Sequence, residues 1–225
     1  MSEYTEVVAL VEGRTEKIFI ADLLAPYLAG KGVFMTPIVI SKPGQKGGDV
    51  RFSRVKNDIL MHLKQRHSTY LTLCVNFYGI KNDWPGFFDA KKEVTPSGKA
   101  AKINDATRRR VGELFGESNV EKRFIPYVAM HEFEALLFSD PEKLAQALQV
   151  SPGEIEKIIA ACGEPENIDD SPQTAPSKRL EKLCPGFRKT STGIAIAKAI
   201  GLTGMREKCP VFNEWLGRLE NLKEA

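Results

Sequence analysis

Apolar residues in this chain fall into short unbroken runs, each followed by helical spacing, and the alternation recurs along the first 140 positions. Val7 to Val11 is apolar without a break, stops at Glu12-Gly13, and gives way to apolar positions at Ile18, Phe19 and Leu23. Short continuous runs read as strands buried on both faces, and a three-to-four spacing reads as helix. The same pattern predicts further strands over 33–40, 70–75 and 124–130, and helices over 14–29, 50–67 and 103–114. Thr15 is expected to cap the first helix, with Glu16 in its first turn, where an acid suits the dipole. Proline cannot donate to a strand ladder, so Pro37 places the second strand at an edge or a bulge. The third run is apolar along most of its length and is expected at the centre of the sheet. Residues 87–101, with Pro96, Ser97 and Gly98, read as a loop.

Beyond Asp140-Pro141 the pattern turns helical, with helices expected over 141–148, 151–162, 176–183, 193–200 and 209–222. Ser151-Pro152-Gly153-Glu154 has the form of a capping box. Two basic, hydroxyl-rich segments, 174–179 and 188–193, lie between these helices. The expected fold is therefore α/β, a mainly parallel central sheet flanked by helices over 1–140, with a helical C-terminal region, 141–225, packed on it.

Composition narrows the function classes. A hydrophobic content of 42% with 27% charged residues is that of a soluble globular chain. No apolar run reaches the roughly 18 residues of a spanning helix, and the N-terminus has no basic region leading into an apolar stretch, so a cytoplasmic protein is expected. The net charge of +3 is too small to name a nucleic-acid partner by itself. Cys74, Cys162, Cys184 and Cys209 are scattered, with no Cys-x-x-Cys pair, which argues against a zinc site.

Polar residues arrive abruptly where strands stop: Glu12 after the first, Asn76 after the third, and His131-Glu132-Phe133-Glu134 after the fourth. Ligands of open α/β sheets bind beyond those ends. Oxygen ligands there suit Mg²⁺ or Mn²⁺ and phosphoryl-transfer chemistry. Asp83 joins the set if its loop folds back. Glu132 and Glu134 share one side only if their segment stays extended, so at most one of them is expected at the site. His131 reads equally as a general base, a phosphate contact or a structural histidine. Lacking a second His, the segment is not the His-Glu-x-x-His zinc motif, and no serine has a Gly-x-Ser-x-Gly setting. No Gly-x-Gly-x-x-Gly follows the first strand, which argues against a dinucleotide site. The basic, glycine-rich stretch Ser41–Gly48 lacks the Gly-Lys-Ser/Thr ending of a P-loop and reads either as a phosphate cradle or as a surface loop.

Val-Glu-Gly-Arg-Thr-Glu, positions 11–16, resembles the opening signature of the Toprim fold of topoisomerases, primases and related nucleases. Nearly end to end, through 11–16, 75–86, 126–140, 174–179 and the Cys-Pro-x-Phe-Asn-x-Trp stretch at 209–215, the chain is similar to an uncharacterised bacterial family of Toprim-like proteins. The resemblance implies a metal-dependent nuclease or nuclease-like effector acting on DNA or RNA, in anti-phage defence, with an ATPase partner. It implies Glu12 as the catalytic glutamate; with the strand-end residues, Glu12, Glu132 and Glu134 are expected as catalytic and metal-binding carboxylates, Asn76 as a weak metal ligand, and Arg14, His131, Lys178 and Arg179 as phosphate contacts. Position 76 departs from it: an aspartate is expected there, and Asn76 offers one neutral oxygen in place of an anion. Metal affinity falls accordingly. The alternative implied is a catalytically impaired scaffold that recognises nucleic acid or the ATPase as a regulatory subunit.

Overall fold

A computed structural model describes residues 4–41, 50–65, 68–116, 120–168 and 173–223. Most of the glycine-rich stretch, 42–48, and the end of the helix expected over 50–67 lie outside them. In chain order the elements are β1 (Thr5–Val11), α1 (Arg14–Phe19), α2 (Ala25–Ala29), β2 (Val33–Val39), α3 (Phe52–Gln65), β3 (Tyr70–Asn76), α4 (Phe87–Ala90), α5 (Pro96–Phe115), α6 (Val120–Arg123) and β4 (Phe124–Ala129). They are followed by α7 (Pro141–Leu148), α8 (Pro152–Cys162), α9 (Pro176–Leu183), α10 (Ile194–Lys208) and α11 (Pro210–Glu220).

The four strands form one parallel sheet in the order β2-β1-β3-β4. The central pair, β1 and β3, is buried along nearly its whole length, as the apolar runs predict. Each edge strand has a device against further pairing. Thr5 N–H donates to Gly32 C=O (3.0 Å) and Ile40 N–H to Val11 C=O (2.9 Å), so even-numbered residues of β2 face β1. Pro37 therefore points its missing N–H to the outer edge, where no ladder bond is lost. On the other side Asn104 of α5 accepts the Val128 N–H (2.9 Å) and covers β4.

Local chemistry accounts for the departures from expectation. The residue entering α1 is Gly13, in extended conformation, while Thr15 lies inside the helix and is buried. Between α1 and α2 the helix widens into a π turn, Ile20–Leu24, just before Pro26, which has no N–H for a regular helical bond. The segment expected as a loop over 87–101 contains α4 and the first turn of α5. Thr95 caps α5 by accepting the Gly98 N–H (3.1 Å), and Pro96 takes the first helical position, where a missing donor is harmless. The helix expected to end at 200 does break there, and a second helical segment follows it. Gly201, at φ 79°, kinks the chain there, and helical structure resumes to Lys208.

The C-terminal helices close the core. Trp215 of α11 stacks on Tyr127 of β4, with centroids 4.3 Å apart and planes 7° from parallel. Its indole N–H donates to Thr72 Oγ1 (2.9 Å), whose hydroxyl donates to Ile125 C=O (2.6 Å). Glu220 at the end of α11 accepts from Tyr27 and pairs with Arg206 (2.8 Å). One continuous apolar core holds residues of both halves of the chain. Among the described residues no helix is long and apolar enough to cross a membrane.

Candidate functional site

Placing β1 beside β3, with Val11 level with Cys74, brings the two strand ends together. Glu12, just past the end of β1, reaches Asn76 at the end of β3. Its Oε2 accepts two hydrogen bonds from that residue, one from the backbone N–H and one from the side-chain amide, each 3.2 Å. After Asn76 the chain turns tightly, Gly79 N–H and Ile80 N–H both donating to Asn76 C=O (2.9 and 3.2 Å). This turn passes directly over the carboxylate: a Cβ on Gly79 would lie 3.1 and 3.2 Å from the two Glu12 oxygens. A side chain at position 79 would therefore crowd the carboxylate unless Glu12 shifts by a few tenths of an ångström. Arg14 is exposed one residue beyond Gly13, and the Glu16 carboxylate folds back over Gly13, 3.0 Å from where its Cβ would be.

A second constellation lies after β4, where Phe133–Ser139 forms a buried 3₁₀ helix. Both carboxylates there meet one ammonium, Lys189 Nζ, at 3.0 Å from Glu132 Oε1 and 3.2 Å from Glu134 Oε2. Glu132 Oε2 also accepts the Ser177 N–H (3.1 Å). Burial pushes Glu132 upward, yet the Ser177 bonds and the Lys189 charge hold its carboxyl below the usual range. Glu134 is 1% exposed, its Oε1 is buried without a hydrogen bond, and burial raises its pKa to about 7 against the pull of Lys189. Burial alone would lower Lys189; the charges of Glu134 and Glu132 hold it above its ordinary value.

Asn76, His131 and Glu132 line one cavity of about 50 Å³, room for a water or two, together with Glu16, Glu166 and the Trp215 ring. His131 also borders a larger cavity of about 180 Å³ with Phe77, Lys99 and Asn167. Three expected site residues therefore meet around one space, with Glu12 directly behind Asn76. Asp83 is engaged elsewhere, accepting the Phe52 and Ser53 N–H groups (3.4 and 3.1 Å) at the start of α3. Lys178 pairs with Glu181 (2.7 Å), and Arg179 donates to Thr174 C=O (2.7 Å). Among the expected phosphate contacts, Arg14 is the exposed one at the strand ends.

These donors do not form a cage for Mg²⁺. Among the described residues no three His, Cys, Asp or Glu side chains converge on a common point. Both oxygens of Glu132 already accept hydrogen bonds, and the position between Glu132 and Glu134 is taken by the Lys189 ammonium. Asn76 turns its amide nitrogen, not its oxygen, toward Glu12, so it presents a donor rather than a metal ligand on that side.

A family model described as a domain of unknown function (DUF4276) matches residues 11–220. The chain belongs to this family. No curated protein and no solved structure matches it. The DUF4276 span opens at the last residue of β1 and closes on the last of α11, so it includes both constellations.

Sequence reasoning missed four residues that build this DUF4276 site. Lys189 and Ser177 lie in the two basic, hydroxyl-rich segments, whose composition was visible while their partners were not. Gly79 was readable only as part of a turn. Glu166 is buried and accepts the Val211 and Phe212 N–H groups (2.9 and 3.0 Å) at the start of α11. Its signal is a carboxylate 45 residues upstream of the helix it caps, which no local pattern carries.

Proposed function

We propose that this chain is a Toprim-like subunit that recognises nucleic acid in anti-phage defence beside an ATPase partner, and that in its present form it binds without cutting. The observation that carries this reading is the contact between Glu12 and Asn76. The β1 glutamate meets the position after β3 where the resemblance implies an acid, and finds an amide donor there. A second anion at that point would call for a cation, whereas the amide removes the need. Lys189 has the same effect on Glu132 and Glu134.

A second reading, a Mg²⁺- or Mn²⁺-dependent nuclease, is favoured by the position of Glu12 beside exposed Arg14 at the carboxyl end of β1. It requires a cation that arrives with the substrate phosphate. The two readings separate in one experiment: the purified chain is incubated with labelled DNA and RNA, with and without Mg²⁺ or Mn²⁺, while binding and cleavage are followed together. Binding without cleavage is the expected result. Divalent-dependent cleavage that Glu12→Gln abolishes would replace the first reading with the second, and a chain that binds no nucleic acid sinks both.

A further inference from the structure

Three of the eight exposed large apolar side chains among the described residues fall within 78–94: Tyr78 (47%), Phe88 (62%) and Val94 (89%). They adjoin a line of rings that starts at the site. Phe77, next to Asn76 and 9% exposed, stacks on Phe87 with centroids 5.8 Å apart and planes 27° from parallel. Phe87 in turn meets Phe88 edge-on at 5.6 Å. The rings thus lead from the buried strand end to solvent.

Cations accompany the line. Lys91 Nζ sits over the Phe87 ring, 4.6 Å from its centroid, and Lys99 shares the wall of the 180 Å³ cavity with Phe77. The nearby carboxylates are already paired. Asp89 holds Lys92 (2.8 Å), Glu93 holds Lys102 (4.0 Å), and Asp83 caps α3. Neither Lys91 nor Lys99 pairs with a carboxylate among the described residues. Positive charge is therefore left along a line of rings whose outer member, Phe88, is exposed, the combination by which proteins hold single strands: rings take bases in any sequence while cations follow the phosphates. Duplex DNA keeps its base faces stacked on one another and has none to offer a ring.

We propose that the exposed Phe88 ring, braced by Phe87 and Phe77 and accompanied by Lys91 and Lys99, is a stacking platform for an unpaired base of single-stranded nucleic acid, leading the strand to Glu12 and Asn76. This rests on the nucleic-acid reading above and narrows it to a substrate class.

The test compares the full chain with Phe88→Ala and Lys91→Gln, using fluorescence anisotropy of labelled oligothymidylate, oligouridylate and a mixed-sequence duplex of equal length. Both residues are exposed, so unchanged melting curves are expected. Phe88→Ala should weaken single-strand binding by about tenfold, the loss of one stacked base, and leave duplex binding as it was. Lys91→Gln should weaken it severalfold and flatten its salt dependence. If the unaltered chain binds the strands and Phe88→Ala binds them equally well, the platform is wrong and the nucleic-acid reading survives. An equal loss on duplex, or a change confined to self-association, also overturns the platform. No binding by the unaltered chain to any of the three overturns both.

Discussion

The side-chain amide of Asn76 and its backbone N–H both donate to one oxygen of Glu12, each over 3.2 Å, across the ends of the two central strands. A carboxylate so held is oriented without a metal, and its negative charge is compensated by dipoles. The adjacency of β1 and β3 makes the contact, and Gly79 leaves room for it. Everything specific about the centre follows from these three positions.

Asn76→Asp changes that chemistry with almost no change in shape. The donor becomes a second anion beside Glu12, and two carboxylates at such a distance cannot both ionise without a cation. The variant should be less stable at neutral pH by about 1–3 kcal/mol, the cost of replacing a half-buried hydrogen bond with an unsatisfied like-charge contact. Millimolar Mn²⁺ should restore its melting temperature while leaving the unaltered chain unmoved. An equal Mn²⁺ shift in both proteins would contradict the hydrogen-bonded account of the pair.

Gly79→Ala tests the close approach from the other side. A methyl group there would press on both Glu12 oxygens, so the turn or the carboxylate has to move. Strain of this kind costs about 1–3 kcal/mol. Made in a Glu12→Ala background, the same change should cost much less, because the atoms in the way are gone. Additive losses in that double-mutant cycle would show that Gly79 serves the backbone alone.

Element by element, the fold was legible where burial is two-sided. The apolar runs of β1 and β3 and the outward-facing Pro37 lead directly to the observed sheet. Glu12 and Asn76 were legible as strand-end residues, because parallel strands bring their carboxyl ends together. Lys189 was not. It lies 55 residues from Glu134 along the chain, in a segment whose basic character is ordinary, and only packing of the C-terminal helices on the sheet brings the two together. The start of α5 was misread for a different reason: Pro-Ser-Gly suits a loop as well as a first helical turn, and Thr95 decides between them by capping.

Lys189→Met removes the ammonium that Glu132 and Glu134 share. Loss of one partner from a fully buried pair costs about 3–5 kcal/mol. Lys189 is more than a third exposed, so solvent screens part of the effect and about 2 kcal/mol is expected. Lys189→Arg keeps the charge and should recover most of it. Urea denaturation of the three proteins at neutral pH measures the difference; a methionine variant as stable as the parent would mean that the cluster contributes nothing to the fold.

Glu166 gives the pH prediction. Burial lifts its pKa from 4.5 to about 7, against the two N–H groups it accepts at the start of α11. A carboxyl whose folded pKa lies above its unfolded value binds more protons in the native state, so stability falls as pH rises between the two values. Its contribution is full below about pH 4.5 and lost as pH passes about 7. Glutamine at 166 has a similar shape, keeps an acceptor oxygen and does not titrate. Relative to Glu166→Gln, the unaltered chain should therefore lose stability from pH 5 to pH 8, by roughly 2–3 kcal/mol at about 1.4 kcal/mol per pKa unit. Paired denaturation curves at a series of pH values cancel the titration of every other group, including Glu132 and Glu220, whose lowered values act in the opposite direction. A stability difference that stays constant from pH 5 to pH 8 would mean that Glu166 is ionised throughout and caps α11 as an ordinary anion.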